Sequence, residues 1–113
     1  MTLNEFEQTV FATASRSSIC EMPTIRRLTP TTISIRVPLN VYGFVDAFYN
    51  EQSGTIAFAL IHNDNRIFGA DNTGGWHLHL FEHPEQHLPL SNEISFAEFI
   101  AAIEKHYAEK GDR

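Results

Sequence analysis

Residues 31–37 read Thr31-Thr32-Ile33-Ser34-Ile35-Arg36-Val37. Ile33, Ile35 and Val37 fall on one face of an extended chain, and Thr32, Ser34 and Arg36 on the other. One face therefore seeks a core and the other tolerates water. Pro38 ends this strand or places it at an edge, because proline cannot donate to a ladder.

The pattern continues in both directions. Tyr42 to Tyr49 is aromatic and β-branched, and Asn50-Glu51-Gln52-Ser53-Gly54 is a turn-forming set. Thr55 to Ile61 is a nearly continuous apolar run, as in a central strand covered on both faces. His62-Asn63-Asp64-Asn65 forms a second turn, and Arg66 to Ala70 continues the chain. The result is a meander of antiparallel strands, with a weaker strand ahead of it at Thr24 to Leu28. Asp71 to Gly75 is rich in turn formers, Trp76 to Phe81 alternates again, and the proline-bearing stretch Phe81 to Leu90 is expected as a loop.

Both flanks carry helical spacing. Thr2 and Glu5 have the spacing of a capping box, and Leu3, Phe6, Val10 and Ala14 make an apolar stripe that the run Ser15 to Ser18 ends. Ser95 and Glu98 repeat the box ahead of Phe96, Phe99, Ile100, Ile103 and Tyr107, with Gly111 as the stop. The expected fold is α+β, an antiparallel β-meander flanked by an N-terminal and a C-terminal helix packed on one side of the sheet. With 113 residues, a single domain spanning 1–113 is expected.

Composition narrows the function. The 42% hydrophobic fraction suits a packed core. No apolar run approaches the ~18–20 residues of a membrane helix, and the N-terminus lacks the basic residues of a secretory signal. The lone Cys20 excludes an intrachain disulfide and favours a reducing, cytoplasmic setting. P-loop, Rossmann and cysteine-rich zinc signatures are absent. The formal net charge of −6 opposes a broad nucleic-acid funnel. The charge is uneven, however: residues 15–70 carry five arginines against four acids, while residues 71–113 carry eight acids against three bases. A local arginine patch remains open.

Four of the six histidines lie between Trp76 and Pro89: His77, His79, His83 and His87. On a strand, His77 and His79 share a face about 6.5–7 Å apart. Two chemistries use such a pair. One is metal binding, in which imidazole nitrogens with Glu82, His83 or His87 hold a divalent transition metal such as zinc. The other needs no cofactor: two imidazoles transfer protons at neutral pH, as in attack of an RNA 2′-hydroxyl on its own phosphate. The plain alternative is a solvated, hydrogen-bonded strand face. Asp71 either fixes a turn or orients a catalytic histidine. Arg66 is a candidate phosphate contact or a surface ion-pair partner, Asn72 a turn former or substrate contact, and Trp76 a core residue or binding platform. His62 and His106 read as structural, and Cys20 as a buried small residue.

The order Gly54-Thr55-Ile56-Ala57-Phe58-Ala59-Leu60-Ile61, then Arg66-Ile67-Phe68-Gly69-Ala70-Asp71-Asn72, then a histidine- and proline-rich stretch and an acidic amphipathic helix, resembles the TumE-like toxins of prokaryotic toxin–antitoxin modules. The resemblance spans roughly residues 30–107, and its specific part is 66–87. The matching positions are Asp71, Asn72, His77, His79, His83 and His87. It implies a small growth-inhibiting protein, acting on RNA, neutralised by a helix-turn-helix antitoxin. Gly75-Trp76-His77-Leu78-His79 with Glu82 behind is also similar to the first metal motif of cupins, which implies a bound metal; the second cupin motif does not occur. A third expectation is an interaction domain that forms a homodimer through a sheet edge.

Overall fold

The computed structural model describes residues 1–81, 86 and 88–110, apart from the side chain of Lys110. The candidate ligands Glu82, His83 and His87, and the helix stop at Gly111, lie outside the described residues. The element order is α1 (Leu3–Arg16), β1 (Thr24–Leu28), β2 (Thr32–Pro38), β3 (Phe44–Asn50), β4 (Ile56–His62), β5 (Asn65–Asp71), β6 (His77–His79), β7 (Leu88–Pro89) and α2 (Phe96–Lys110). The described strands form one sheet in sequence order, β1 to β7, with every neighbouring pair antiparallel. This is the α+β meander with terminal helices that the sequence predicts. Β4, the apolar run, is its middle strand. Among the described residues, no helix is long and apolar enough to cross a membrane.

Local chemistry accounts for the elements. Both capping boxes form. Thr2 N–H donates to Glu5 Oε1 at 2.7 Å and Glu5 N–H to Thr2 Oγ1 at 3.0 Å. Ser95 N–H donates to Glu98 Oε1 at 2.8 Å and Glu98 N–H to Ser95 Oγ at 3.1 Å. Each box satisfies donors that the first turn cannot pair. The β4–β5 turn places Asn63 and Asp64 at φ 51° and 65°. Two positive φ angles in sequence match the twist of the flanking strands, and Asn and Asp tolerate them.

Alternation divides the sheet. Ile33, Ile35 and Val37 of β2, Val45, Ala47 and Tyr49 of β3, and Phe58 and Leu60 of β4 are buried beneath Phe6, Val10 and Ala14 of α1 and Phe96, Phe99, Ile100 and Ile103 of α2. Aromatic rings bind this core: Phe6 stacks on Tyr49 at 5.2 Å, and Phe99 on Phe68 at 5.0 Å. Such offset contacts add to the hydrophobic gain of burial. The helices thus cover one face only, and the second face is left to a different set of residues.

The strand limits differ from the expected ones at the C-terminal edge. Asp71 belongs to β5 rather than to the turn, because it pairs with Ala57 of β4 and His77 of β6. The Trp76–Phe81 alternation yields a strand of three residues only. The expected loop contains the two-residue strand β7, whose Pro89 sits on an outer edge, where no donor is needed.

Candidate functional site

The second face is set by register. Residues directly opposite in an antiparallel pair point the same way. The pairs Ala57↔Asp71 and Asp71↔His77 form one row, and Ala59↔Gly69 and Gly69↔His79 the next. Asp71, His77 and His79 are therefore gathered on the side of the sheet away from both helices. The turn over residues 72–75 brings His77 back opposite Asp71. Trp76 and Leu78 have the other parity and pack against the core.

Arg66 joins this group through an irregularity. In a regular β5, Arg66 would share a face with Phe68 and Ala70. The register instead shifts between Leu60 and Ile61, so that Leu60 opposes Phe68 but Ile61 opposes Arg66. Ile67 is the extra residue of a β-bulge, and the bulge turns Arg66 onto the histidine face. Gly69 then makes room. A Cβ there would lie 3.1 Å from Arg66 Cδ, 3.2 Å from the Phe58 carbonyl oxygen and 3.6 Å from His79 Cδ2. The Arg66 stem and the His79 ring use the space that a side chain at 69 would fill. Gly69 was not among the sequence candidates, although a glycine inside a strand pattern is itself a signal of close approach.

One carboxylate spans both imidazoles. Asp71 Oδ1 is 3.1 Å from His77 Nε2, and Asp71 Oδ2 is 3.3 Å from His79 Nε2. Asp71 Oδ1 also accepts from Thr73 N–H at 3.1 Å. Arg66 Nη2 lies 3.2 Å from His79 Nδ1, and the Gly75 carbonyl lies 3.0 Å from His77 Nδ1. The side chains differ in exposure: His79 shows 3% of its surface, His77 15% and Asp71 17%.

These contacts fix the protons. A guanidinium only donates, so His79 Nδ1 accepts and its proton is on Nε2, directed at Asp71. A carbonyl only accepts, so His77 Nδ1 carries a proton. His77 Nε2 also faces an acceptor, Asp71 Oδ1, and that contact is a hydrogen bond only when His77 is an imidazolium. The polarity thus runs from Arg66 through His79 to Asp71. Charge-assisted bonds of this kind are about twice as strong as neutral ones.

The same atoms form the one group of possible metal ligands found among the described residues: the donor atoms of Asp71, His77 and His79 lie within 4.8 Å of one another. Proton polarity separates the two histidines as ligands. A histidine that binds metal through Nε2 carries its proton on Nδ1 and gives it to an acceptor. His77 meets this condition through the Gly75 carbonyl. His79 does not, because Arg66 presents a donor to its Nδ1.

The remaining candidates have other surroundings. Asn72 is spent on backbone: it accepts from Ile56 N–H at 2.8 Å and donates to the Gly54 carbonyl at 2.9 Å, tying the end of β5 to the start of β4. His62 stacks on Tyr42 at 3.7 Å, and His106 on Phe81 at 3.5 Å. Cys20 is half-buried, and burial raises its thiol pKa. A groove of about 530 Å³, lined by Phe11, Cys20, Met22 and their neighbours, lies on the helix side and shares no residue with the histidine face. No protein-family model matches the chain, and neither the curated proteins nor the solved structures include a significant match.

Proposed function

We propose that this chain cleaves RNA by metal-free acid–base chemistry at His77, as the toxin member of a prokaryotic toxin–antitoxin pair of the TumE-like kind, held in check by a helix-turn-helix antitoxin. The observation that supports the chemistry is the proton polarity of the site. Arg66 holds His79 in the tautomer that donates to Asp71, and the other oxygen of Asp71 faces His77 Nε2 at 3.1 Å, while His77 Nδ1 carries a proton.

In this mechanism the RNA 2′-hydroxyl oxygen bonds to the adjacent phosphorus, its proton passes to solvent, and the P–O5′ bond breaks. The departing 5′ oxygen needs a proton. His77 supplies it from Nδ1, because Nε2 is turned onto Asp71. That proton is held by the Gly75 carbonyl at 3.0 Å, so the substrate oxygen displaces this contact to receive it. Asp71 and His79 are positioning residues, and Arg66 holds His79. A positioned general acid contributes about 10²–10⁴ in rate.

The test is cleavage of a synthetic RNA by protein purified without a histidine tag, in EDTA. Cleavage to a 2′,3′-cyclic phosphate end, lost about 10²-fold or more in His77→Ala, is the expected result. Cleavage that persists in His77→Ala removes this mechanism. Induction in a bacterial host tests the toxin role: growth stops with the wild type and continues with the variant.

A second reading is favoured by the clustering of the three ligand atoms. A divalent metal held by Asp71, His77 and His79 requires Arg66 to leave His79 Nδ1. That reading expects near-stoichiometric metal in the untagged protein and cleavage abolished by EDTA.

A further inference from the structure

We infer that the helix-free face of the sheet binds single-stranded RNA, with Phe48 as a base-stacking platform and Arg27 as a phosphate contact leading to His77. The inference rests on the RNA reading above and deepens it by naming the form of RNA and the surface that holds it.

The register carries the case. Arg27 opposes Ser34, Ser34 opposes Phe48, Phe48 opposes Ala57, Ala57 opposes Asp71, and Asp71 opposes His77. Six strands thus contribute one continuous row with all its side chains on the same face. At about 4.8 Å per strand, the row runs about 24 Å from Arg27 to His77. Phe48 stands about 10 Å from Asp71, two strands away. Between them, Ala57 and Ala59 of β4 add little beyond the backbone, and Gly69 of β5 lies beneath the Arg66 stem and the His79 ring. The aromatic ring and the acid–base cluster therefore flank a strip of small β4 residues on this face. Phe48 is half-buried, not covered by either helix.

Charge selects the occupant. Among the described strand residues, Arg27, Arg36 and Arg66 lie on this face against Asp46 and Asp71, a local excess of one positive charge on a chain of net −6. Arg36 is engaged: it bonds Asp46 at 3.0 Å and lies 3.9 Å over the Phe44 ring. Arg27 is exposed on β1 and makes no ion pair among the described residues. An exposed cation, an aromatic ring and a proton-transfer site in one line match phosphate, base and scissile bond. A duplex hides its base faces from such a ring, and a single strand offers them. A peptide would gain nothing from the strands' backbone here, since its hydrogen bonds lie in the sheet plane.

The probe is a fluorescein-labelled single-stranded 2′-O-methyl RNA of about ten nucleotides, a length within the usual range for such surfaces. The methyl group blocks attack, so binding is read apart from cleavage. Anisotropy with the full chain should show binding of the single strand above its duplex. Phe48→Leu, which keeps the apolar contact and removes the ring, should weaken binding about tenfold, and Phe48→Trp should restore it. Arg27→Ala, on an exposed strand, should lower the slope of log affinity against log salt by about 0.7. Wild-type affinity and salt slope in both Phe48→Leu and Arg27→Ala would overturn the inference, as would equal binding of the duplex. So would displacement of the strand by polyglutamate with no effect of Phe48→Leu, which would indicate an acidic protein partner. Failure of the two proposals is distinguishable. Binding without cleavage of unmodified RNA keeps the surface and removes the chemistry. Cleavage with no loss of binding in the two variants does the reverse.

Discussion

Replacing Asp71 with asparagine tests the proton polarity directly. The side chains are nearly isosteric, so packing is kept and only charge and proton polarity change. The Asp71 carboxylate oxygens lie 3.1 Å and 3.3 Å from Nε2 of His77 and of His79, and the His79 contact is a hydrogen bond whatever the charge on His77. The amide can keep one acceptor, its oxygen. Its nitrogen then faces His79 Nε2–H, donor against donor. His79 can relieve that clash only by moving its proton to Nδ1, where Arg66 is already a donor. One charge-assisted bond is therefore lost outright and a second conflict is created in a site where His79 is 3% exposed. A bond to a charged group contributes about 1.5–3 kcal/mol, and an unsatisfied buried donor costs about 1–3 kcal/mol. Partial exposure of Asp71 reduces both, which gives about 2–4 kcal/mol in all. At about 4 °C per kcal/mol for a domain of this size, Tm falls by about 8–16 °C.

The assay is urea and thermal unfolding at pH 7, run as a cycle with Arg66→Ala. Removing Arg66 lets His79 change tautomer, so Asp71→Asn should cost about 1 kcal/mol less in the Arg66→Ala background. Additive costs, or a loss below about 1 kcal/mol for Asp71→Asn alone, would refute the proton assignment.

Three further outcomes follow from the packing. Gly69→Ala forces a Cβ to 3.2 Å from the Phe58 carbonyl oxygen and 3.1 Å from Arg66 Cδ, so it should destabilise by about 1–3 kcal/mol and perturb the His79 ring resonances by NMR. Leu60 is fully buried in β4, and Leu60→Ala should cost about 2–5 kcal/mol in urea unfolding with an unchanged m-value. Burial, with Tyr42 beside it, pushes the Tyr107 phenol from 10.0 up to about 12. The unfolded phenol releases its proton first, so its contribution to stability is intact below pH 10 and is lost as pH rises toward 12. Ultraviolet titration should show a late-ionising phenol that is absent from Tyr107→Phe, and Tyr107→Phe should flatten the alkaline loss of stability.

The fold was largely legible because two periods organise the chain. Ile33, Ile35 and Val37 alternate, and Phe96, Phe99, Ile100 and Ile103 recur at helical spacing. All of them are buried. Turn chemistry at Asn63-Asp64 and the capping boxes located the boundaries between them. The C-terminal edge was less legible. Asp71 has the local chemistry of a turn former, yet it pairs on both sides, and tertiary pairing overrides such preference. Β7 has two residues, too few for any period to show, and its proline argues against a strand unless the edge position is known.

The site was legible in part for the same reason. His77 and His79 are separated by the strand period, so they share a face in any strand. Asp71 stands just ahead of the turn that returns the chain to them. Arg66 is the instructive case. Its distance from Asp71 is odd, and a regular strand would put the two on opposite faces, leaving Arg66 over the core. The bulge at Ile67 reverses that parity, and no local residue type announces it. What requires the bulge is tertiary. Phe68 and Ala70 must point to the core under Phe99, while the two-residue turn fixes His62 opposite Asn65. One extra residue reconciles these constraints and turns a guanidinium from the core side onto His79. The assignment of protons at His79, and with it the choice between acid–base and metal chemistry, therefore depends on an irregularity that only the three-dimensional register reveals.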